Sequence, residues 1–326
     1  MKEEILILII LFLIALAATV IIESRLIPRL RTVASQPIYE DGPRWHLKKS
    51  GTPTMGGIAF LAAVILCLLI SIGYFYIKED QDGVISILLS LFLCLASSAI
   101  GIVDDLKKLK RQRNAGLTPG QKLIFQLLIA TVYVTVRTAL IGKTSLTFSF
   151  GEVDIGVFYY PLGIFLTVGM INCANLTDGV DGLCASVSFA SGISVLYTAL
   201  YFSQDGAILS VLLIGVSLGF LFFNLNPARI FMGDTGSLLL GALLVSACFS
   251  LENPMLSILF GAVFVIEGVS VIAQVLVFKT TGKRVFKMAP LHHHLERSGL
   301  SENTICILAI LLTLIASIPC FILYPT

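Results

Sequence analysis

Charge is what this 326-residue sequence has least of: Asp, Glu, Lys and Arg make up 13% of it, against 56% hydrophobic residues. A domain folded in water carries about 25% charged residues, so a soluble globular chain is excluded. Long polar stretches are missing too. The longest, 23–55 and 279–303, are loop-sized, so no second domain that folds apart in water is accommodated, although the length alone would allow one. No repeat of fixed period and no low-complexity tract is present. The seven cysteines (67, 94, 173, 184, 248, 306, 320) fall in no CxxC or CxxxC spacing, which excludes a thiolate zinc site or a disulfide framework. Most lie in or beside apolar runs and read as small packing residues.

What the sequence does have is apolar runs of membrane length. Ten can be drawn, at about 5–22, 56–77, 84–103, 121–141, 157–174, 183–202, 207–225, 235–251, 255–278 and 304–323. Each is close to the ~20 residues that cross a bilayer as a helix. If the connections after the odd-numbered runs share one side, that side holds all of the 22 Lys and Arg residues except Lys2, Lys78, Arg137 and Lys143. The positive-inside rule makes it the cytoplasmic side and puts both termini outside. Lys2 is offset by Glu3 and Glu4, and the basic residues follow the first run, which reads as an uncleaved helix rather than a signal peptide. The expectation is an all-α polytopic integral membrane protein, one domain over 1–326, with ten transmembrane helices and a short outer β-hairpin near 143–160, where residues alternate around Gly151.

The connections carry the chemistry. The first contains Gln36-Pro37 and then DGPRWHLKKSGTPTMGG (41–57), which reads either as an interfacial loop facing anionic headgroups or as an anion-binding approach to a site. Asp104-Asp105 closes the third run ahead of a basic cluster reaching Arg113. Acids at a helix C-terminus oppose its dipole, and that mild penalty points to function. NLTDGVDGL (175–183) places Asp178 and Asp181 three residues apart, between glycines, where the chain turns at a membrane face. In Asn224 to Ser237, the string GDTGS runs straight into an apolar helix, offering backbone donors, hydroxyls and a positive dipole end to a phosphate, or else an ordinary N-cap. Glu267, the one carboxylate well inside an apolar run, shares a helical face with Gln274 and reads as a functional or pairing residue. His292, His293 and His294 are consecutive, so they do not converge on one metal ion, and they suit contact with phosphate oxygens better.

All these groups except Glu267 border one membrane face. Clustered carboxylates with few thiols call for a hard cation, magnesium or manganese, and the surrounding Lys, Arg and His for an anionic partner that the metal bridges. Together they describe magnesium-dependent phosphate chemistry with one lipid substrate. A cation-coupled transporter would instead place its charges at the bilayer midplane, where only Glu267 falls.

GTPTMGG (51–57), Asp104-Asp105, NLTDGVDGL, FMGDTGS (231–237) and PLHHHLE (290–296) occur here in the order seen in the phospho-N-acetylmuramoyl-pentapeptide transferases, which the chain resembles along its whole length. These belong to the polyprenyl-phosphate N-acetylhexosamine-1-phosphate transferases, and no motif position departs from their pattern. The resemblance implies an enzyme of the bacterial cytoplasmic membrane, a homodimer, with its active site facing the cytoplasm. It implies transfer of phospho-MurNAc-pentapeptide from UDP-MurNAc-pentapeptide to undecaprenyl phosphate, giving lipid I and UMP. The neighbouring reading is a GlcNAc-1-phosphate transferase of the same superfamily. By similarity Asp234 ligates Mg2+, and Asp104, Asp105 and His292 join it as catalytic residues. Asn175, Asp178, Gly179 and Asp181 line the nucleotide-sugar pocket and Phe231 stacks on uracil. Lys49, Thr54, Lys122, Asn224, Gln274, Ala289, His292 and His293 match further pocket positions. Membrane lipids and uridine-containing nucleoside inhibitors are the other ligands implied, and nucleic acid is not a partner.

Overall fold

The computed structural model describes residues 2–33, 49, 51–111, 116–148 and 150–323. Gln36-Pro37, Arg44, His46 and Lys48 of the first connection, and Arg113 of the second, lie outside the described residues. The helices are α1 (Lys2–Val33), α2 (Gly57–Ile77), α3 (Gln81–Arg111), α4 (Pro119–Ile141), α5 (Tyr159–Thr177), α6 (Leu183–Phe202), α7 (Gln204–Asn224), α8 (Gly233–Ser250), α9 (Leu256–Phe260), α10 (Ala262–Thr281), α11 (Leu291–Glu296) and α12 (Glu302–Leu323). Among the described residues ten of these, all but α9 and α11, are long and apolar enough to cross a membrane. The chain is a multi-pass, all-α membrane protein.

Three elements depart from the apolar runs. Helices α1 and α3 continue well past them, because good helix formers follow the apolar residues. In α3 the pair Asp104–Lys108, at i,i+4 spacing and 2.7 Å, bridges the extension. Asp104 and Asp105 therefore sit inside a helix rather than at its C-terminus, and the dipole argument for them falls away. The run at 255–278 is broken at Gly261, which separates α9 from α10. A Cβ there would lie 2.8 Å from Ser257 O and 2.9 Å from Met170 Sδ, so only glycine allows the crossing.

Helix α8 is the centre: 94% of its apolar window is buried, against 22% for α1. It is built largely of Gly, Ala, Ser and Leu, and small residues let membrane helices approach closely. A Cβ on Gly57 of α2 would lie 2.1 Å from Gly236 N, and one on Gly101 of α3 would lie 2.5 Å from Asp234 O. Both neighbours thus touch the first turn of α8 backbone to backbone. Leu6, Leu13, Ile124, Leu128, Ile272, Leu276, Ile307 and Leu311 on α1, α4, α10 and α12 are exposed, as lipid-facing positions are.

The hairpin pairs β1 (Ser145–Phe148) with β2 (Gly151–Asp154) antiparallel, Leu146 opposite Val153. Asn253 Nδ2 donates to Thr147 O at 2.8 Å and ties it to the α8–α9 turn. Arg137, assigned from sequence to the outer side, is buried within α4 and donates to Phe249 O at 2.8 Å.

Candidate active site

The polar ends of α3, α4 and α8 meet in a cluster of three aspartates and two lysines. Lys108 Nζ lies 2.7 Å from Asp104 Oδ2 and 3.0 Å from Asp234 Oδ1. Lys122 Nζ lies 3.1 Å from Asp104 Oδ2 and pairs closely with Asp234 Oδ2. The second oxygen of Asp104 accepts Leu117 N–H at 2.7 Å. Thr118 starts α4 with a capping box to Gln121, which fixes Lys122 one residue later.

Asp105 faces the other way. Its Oδ1 accepts Asp234 N–H at 3.1 Å, and its Oδ2 accepts Thr235 N–H at 3.0 Å and the Thr235 hydroxyl at 2.7 Å. The start of α8, read from sequence as a landing place for phosphate, is thus occupied by a carboxylate from α3. Asp105 holds Asp234 in place through the backbone. Gly233, at φ 69°, allows this approach, since a Cβ there would lie 2.6 Å from Asp105 Oδ2.

The NLTDGVDGL loop is divided in use. Asn175 Nδ2 donates to Ser237 Oγ in α8 at 2.8 Å. Asp181 is buried and accepts from Lys49 Nζ at 2.7 Å, Ala228 N at 3.0 Å and Asn226 Nδ2 at 3.1 Å. Glu302, in the first turn of α12, accepts both Asp181 N–H at 2.8 Å and Lys49 Nζ at 2.6 Å. Asn224 accepts Gly182 N–H at 2.9 Å and donates to Ile230 O at 2.8 Å. Asp181 and Asn224 therefore lock the loops that frame the pocket. Phe231 N donates to Pro53 O at 2.8 Å and its carbonyl accepts Gly56 N–H at 2.9 Å, which ties half-buried Phe231 to the segment carrying buried Thr54.

Asp178 remains half-buried in the loop, its carboxyl without a hydrogen-bond partner among the described residues. Burial, with the negative charges of Asp234, Asp105 and Asp181 added, pushes its pKa up to about 8. Gly179 beside it faces His292: a Cβ there would lie 2.3 Å from His292 Nε2.

The three histidines go three ways. His292 is 1% exposed; its N–H donates to Glu267 at 3.1 Å, and its ring Nδ1 lies 3.2 Å from Glu267 Oε2. His293 pairs with Glu296 at 2.6 Å, and His294 Nδ1 accepts Lys287 N–H at 3.1 Å. Gln274 is not brought to the aspartates: its Oε1 accepts Val285 N–H at 3.1 Å and Phe286 N–H at 2.9 Å. Ala289 is half-buried just ahead of α11 and joined to Pro290 by a cis peptide. Because His292 touches both Glu267 and the Gly179 loop, Glu267 lies level with the site. The one charge that looked as if it belonged to the midplane does not stand apart.

The sequence matches those of known proteins. The pattern for glycosyl transferase family 4 matches residues 84–252, and phospho-N-acetylmuramoyl-pentapeptide-transferase signature 1 matches residues 49–61. The phospho-N-acetylmuramoyl-pentapeptide-transferase of Halalkalibacterium halodurans is 43% identical over 291 residues, covering 87% of each chain. That of Bacillus subtilis is 43% identical over 293 residues, again 87% of each, and that of Heliobacterium modesticaldum 42% over 299 residues, 90% of each. The chain belongs to the phospho-N-acetylmuramoyl-pentapeptide-transferase family.

In this family member the acidic cluster fits a divalent cation. One oxygen each of Asp104, Asp105 and Asp234 lies within 4.8 Å of the others, and oxygen donors suit hard ions. Asp105 is engaged on both oxygens, so Asp234 and the Oδ2 of Asp104 are the ligands on offer. Both are now held by ammonium groups, so the position already selects positive charge. Sequence reasoning for the family missed Lys108 as a bridge, although its i,i+4 spacing from Asp104 signals it. It also missed Glu302, for which no local signal exists.

Proposed function

We propose that this protein transfers phospho-MurNAc-pentapeptide from UDP-MurNAc-pentapeptide to undecaprenyl phosphate, releasing UMP and forming lipid I. The reaction runs at the cytoplasmic face of a bacterial cytoplasmic membrane, and the whole chain acts as one transferase domain. The observation that carries this reading is the pairing of Asp104 with Asp234 across Lys108 and Lys122. Alternating fixed charges of this kind suit a pyrophosphate and an attacking phosphate in the same place.

A phosphate monoester with its second pKa near ~6 is mostly dianionic at pH 7, so the lipid phosphate needs no strong base. Its oxygen attacks the β-phosphorus of the UDP-sugar. The bond from that phosphorus to the bridging oxygen breaks, and UMP departs with the electron pair. Lys108 and Lys122 bind the phosphoryl oxygens, and Asp104 orients the attacking phosphate. Asp105 acts on the reaction through the position of Asp234. Asp234 and the Oδ2 of Asp104 would hold Mg2+, which would supply neutralisation of the pyrophosphate charge. Asp178, Gly179 and Phe231 contact the nucleotide sugar.

The test is UMP release by membranes supplied with undecaprenyl phosphate and either UDP-MurNAc-pentapeptide or UDP-GlcNAc. Release with the first alone, abolished by chelator, is the expected outcome; release with UDP-GlcNAc moves the chain to the sister activity. A labelled covalent enzyme formed from UDP-MurNAc-pentapeptide without lipid would replace direct attack by a phospho-aspartate route.

A further inference from the structure

We infer that Glu267 is a positioning residue for this reaction, acting on substrate through His292; the inference rests on the transferase reading above. Glu267 is 3% exposed and stands on an apolar helix, where a carboxylate is costly unless its partners repay it. Those partners belong to one residue. Both Glu267 oxygens reach His292 N–H, at 3.1 and 3.2 Å, and Oε2 lies 3.2 Å from the ring Nδ1. A helix cap needs only one oxygen at the backbone. Oε2 also lies beside the ring Nδ1, so one carboxylate holds the backbone and stands against the ring.

The consequence appears at the other ring nitrogen. A carboxylate beside Nδ1 favours a proton there and sets the ring's orientation. His292 Nε2 is then the atom left for chemistry: it is buried and packed against Gly179, and neither ring nitrogen completes a hydrogen bond among the described residues. A buried imidazole nitrogen without a partner carries an unmet hydrogen-bonding demand, and a substrate oxygen would meet it once the Gly179 loop moves off the ring. One turn pair further along α10, Gln274 binds Val285 and Phe286, so the same helix splints both ends of the loop that delivers His292.

The test is a double-mutant cycle in UMP release with UDP-MurNAc-pentapeptide and undecaprenyl phosphate. It uses Glu267→Ala, Glu267→Gln, His292→Ala and the Glu267→Ala/His292→Ala pair. Glu267→Ala is expected to lower kcat about 10- to 100-fold, the scale found for partners that orient metal-ligating histidines, with KM for the nucleotide sugar nearly unchanged. Glu267→Gln, which keeps an acceptor for the backbone N–H, recovers part of the loss. The double variant is expected to be no slower than His292→Ala alone. Losses that multiply in the double variant, or a loss confined to KM, overturn the inference. If Glu267→Ala does not fold, Glu267→Gln with and without His292→Ala completes the cycle under the same criteria. A parent protein that releases no UMP overturns the transferase reading, and this inference with it.

Discussion

Helices α8 and α11 start in the same way and end up with different work. Neither has a side-chain cap of its own: α8 follows Met232 and α11 follows Pro290. Each is capped instead by a buried acid from a distant helix, Asp105 of α3 for α8 and Glu267 of α10 for α11. At α8 both carboxylate oxygens go to Asp234 N–H, Thr235 N–H and the Thr235 hydroxyl, so the acid is wholly a fixture. At α11 the acid also lies 3.2 Å from the His292 ring Nδ1, so it stands against the side chain proposed to meet substrate. A carboxylate in an apolar bundle therefore reveals its role by what its second oxygen does.

The sharpest test of that contrast is at Asp234, the residue that the α8 cap positions. Asp234→Asn keeps the side-chain shape but removes the charge that answers Lys108 and Lys122. UMP release is expected to fall on the order of 10³-fold, the upper range for removing one group that stabilises transition-state charge. Retained magnesium-dependent release would remove the metal assignment and leave α8 a purely structural helix.

The caps themselves should differ in stability. Asp105→Ala orphans two buried N–H groups and a hydroxyl, at about 1–3 kcal/mol each. A loss of roughly 3 kcal/mol or more is therefore expected in unfolding measured in detergent. Asp105→Asn keeps one acceptor and should cost less than half of that. Glu267→Gln, which also keeps an acceptor, should cost only about 1 kcal/mol while still impairing turnover. Equal stability losses at the two acids, with activity following stability, would erase the distinction between them.

The spans and most of the site were legible because the signals are local. Apolar runs of helix length, glycines at turns, and acids beside basic clusters read directly from neighbouring residues. Partners far apart in sequence were not. Glu302 and Asp181 lie 121 positions apart, and nothing in either segment announces the other. The role of Asp105 was hidden because the acceptor it supplies is used by α8, 129 residues later. The break at Gly261 escaped because both flanks are apolar, and its cause is a close contact with Met170 on another helix. Asp181 and Asn224, expected to line the pocket, are engaged by the loops around it, a distinction that requires the third dimension.

A smaller effect probes the far side of His292. In Gly179→Ala the new Cβ would lie 2.3 Å from His292 Nε2, so the ring or the loop must shift. Overpacking of this kind costs about 1–3 kcal/mol, and turnover should fall with it. Gly120→Ala in α4, where a Cβ meets nothing within 4 Å, is the matched control and should leave stability intact. An active, fully stable Gly179→Ala would mean that His292 does not need its place against the loop, and the comparison would rest on the cap alone.

The last contrast is read as a pH dependence at Asp178. Its folded-state pKa is pushed up to about 8 by burial and by neighbouring carboxylates, while the unfolded chain ionises near ~3.9. The folded state therefore keeps a proton that the unfolded state releases. The stability Asp178 contributes is present below the unfolded pKa and is lost as pH rises towards and through about 8. Asp178→Asn has no such proton, so in chelator its unfolding midpoint should gain on the parent from pH 5 upward and level off beyond the folded pKa. A divalent cation beside Asp234 offsets the negative charge that helps raise Asp178, so adding Mg2+ should narrow the gap between variant and parent. A gap indifferent to Mg2+ would mean that Asp178 feels its burial but not the acidic cluster, separating the NLTDGVDGL loop from the start of α8.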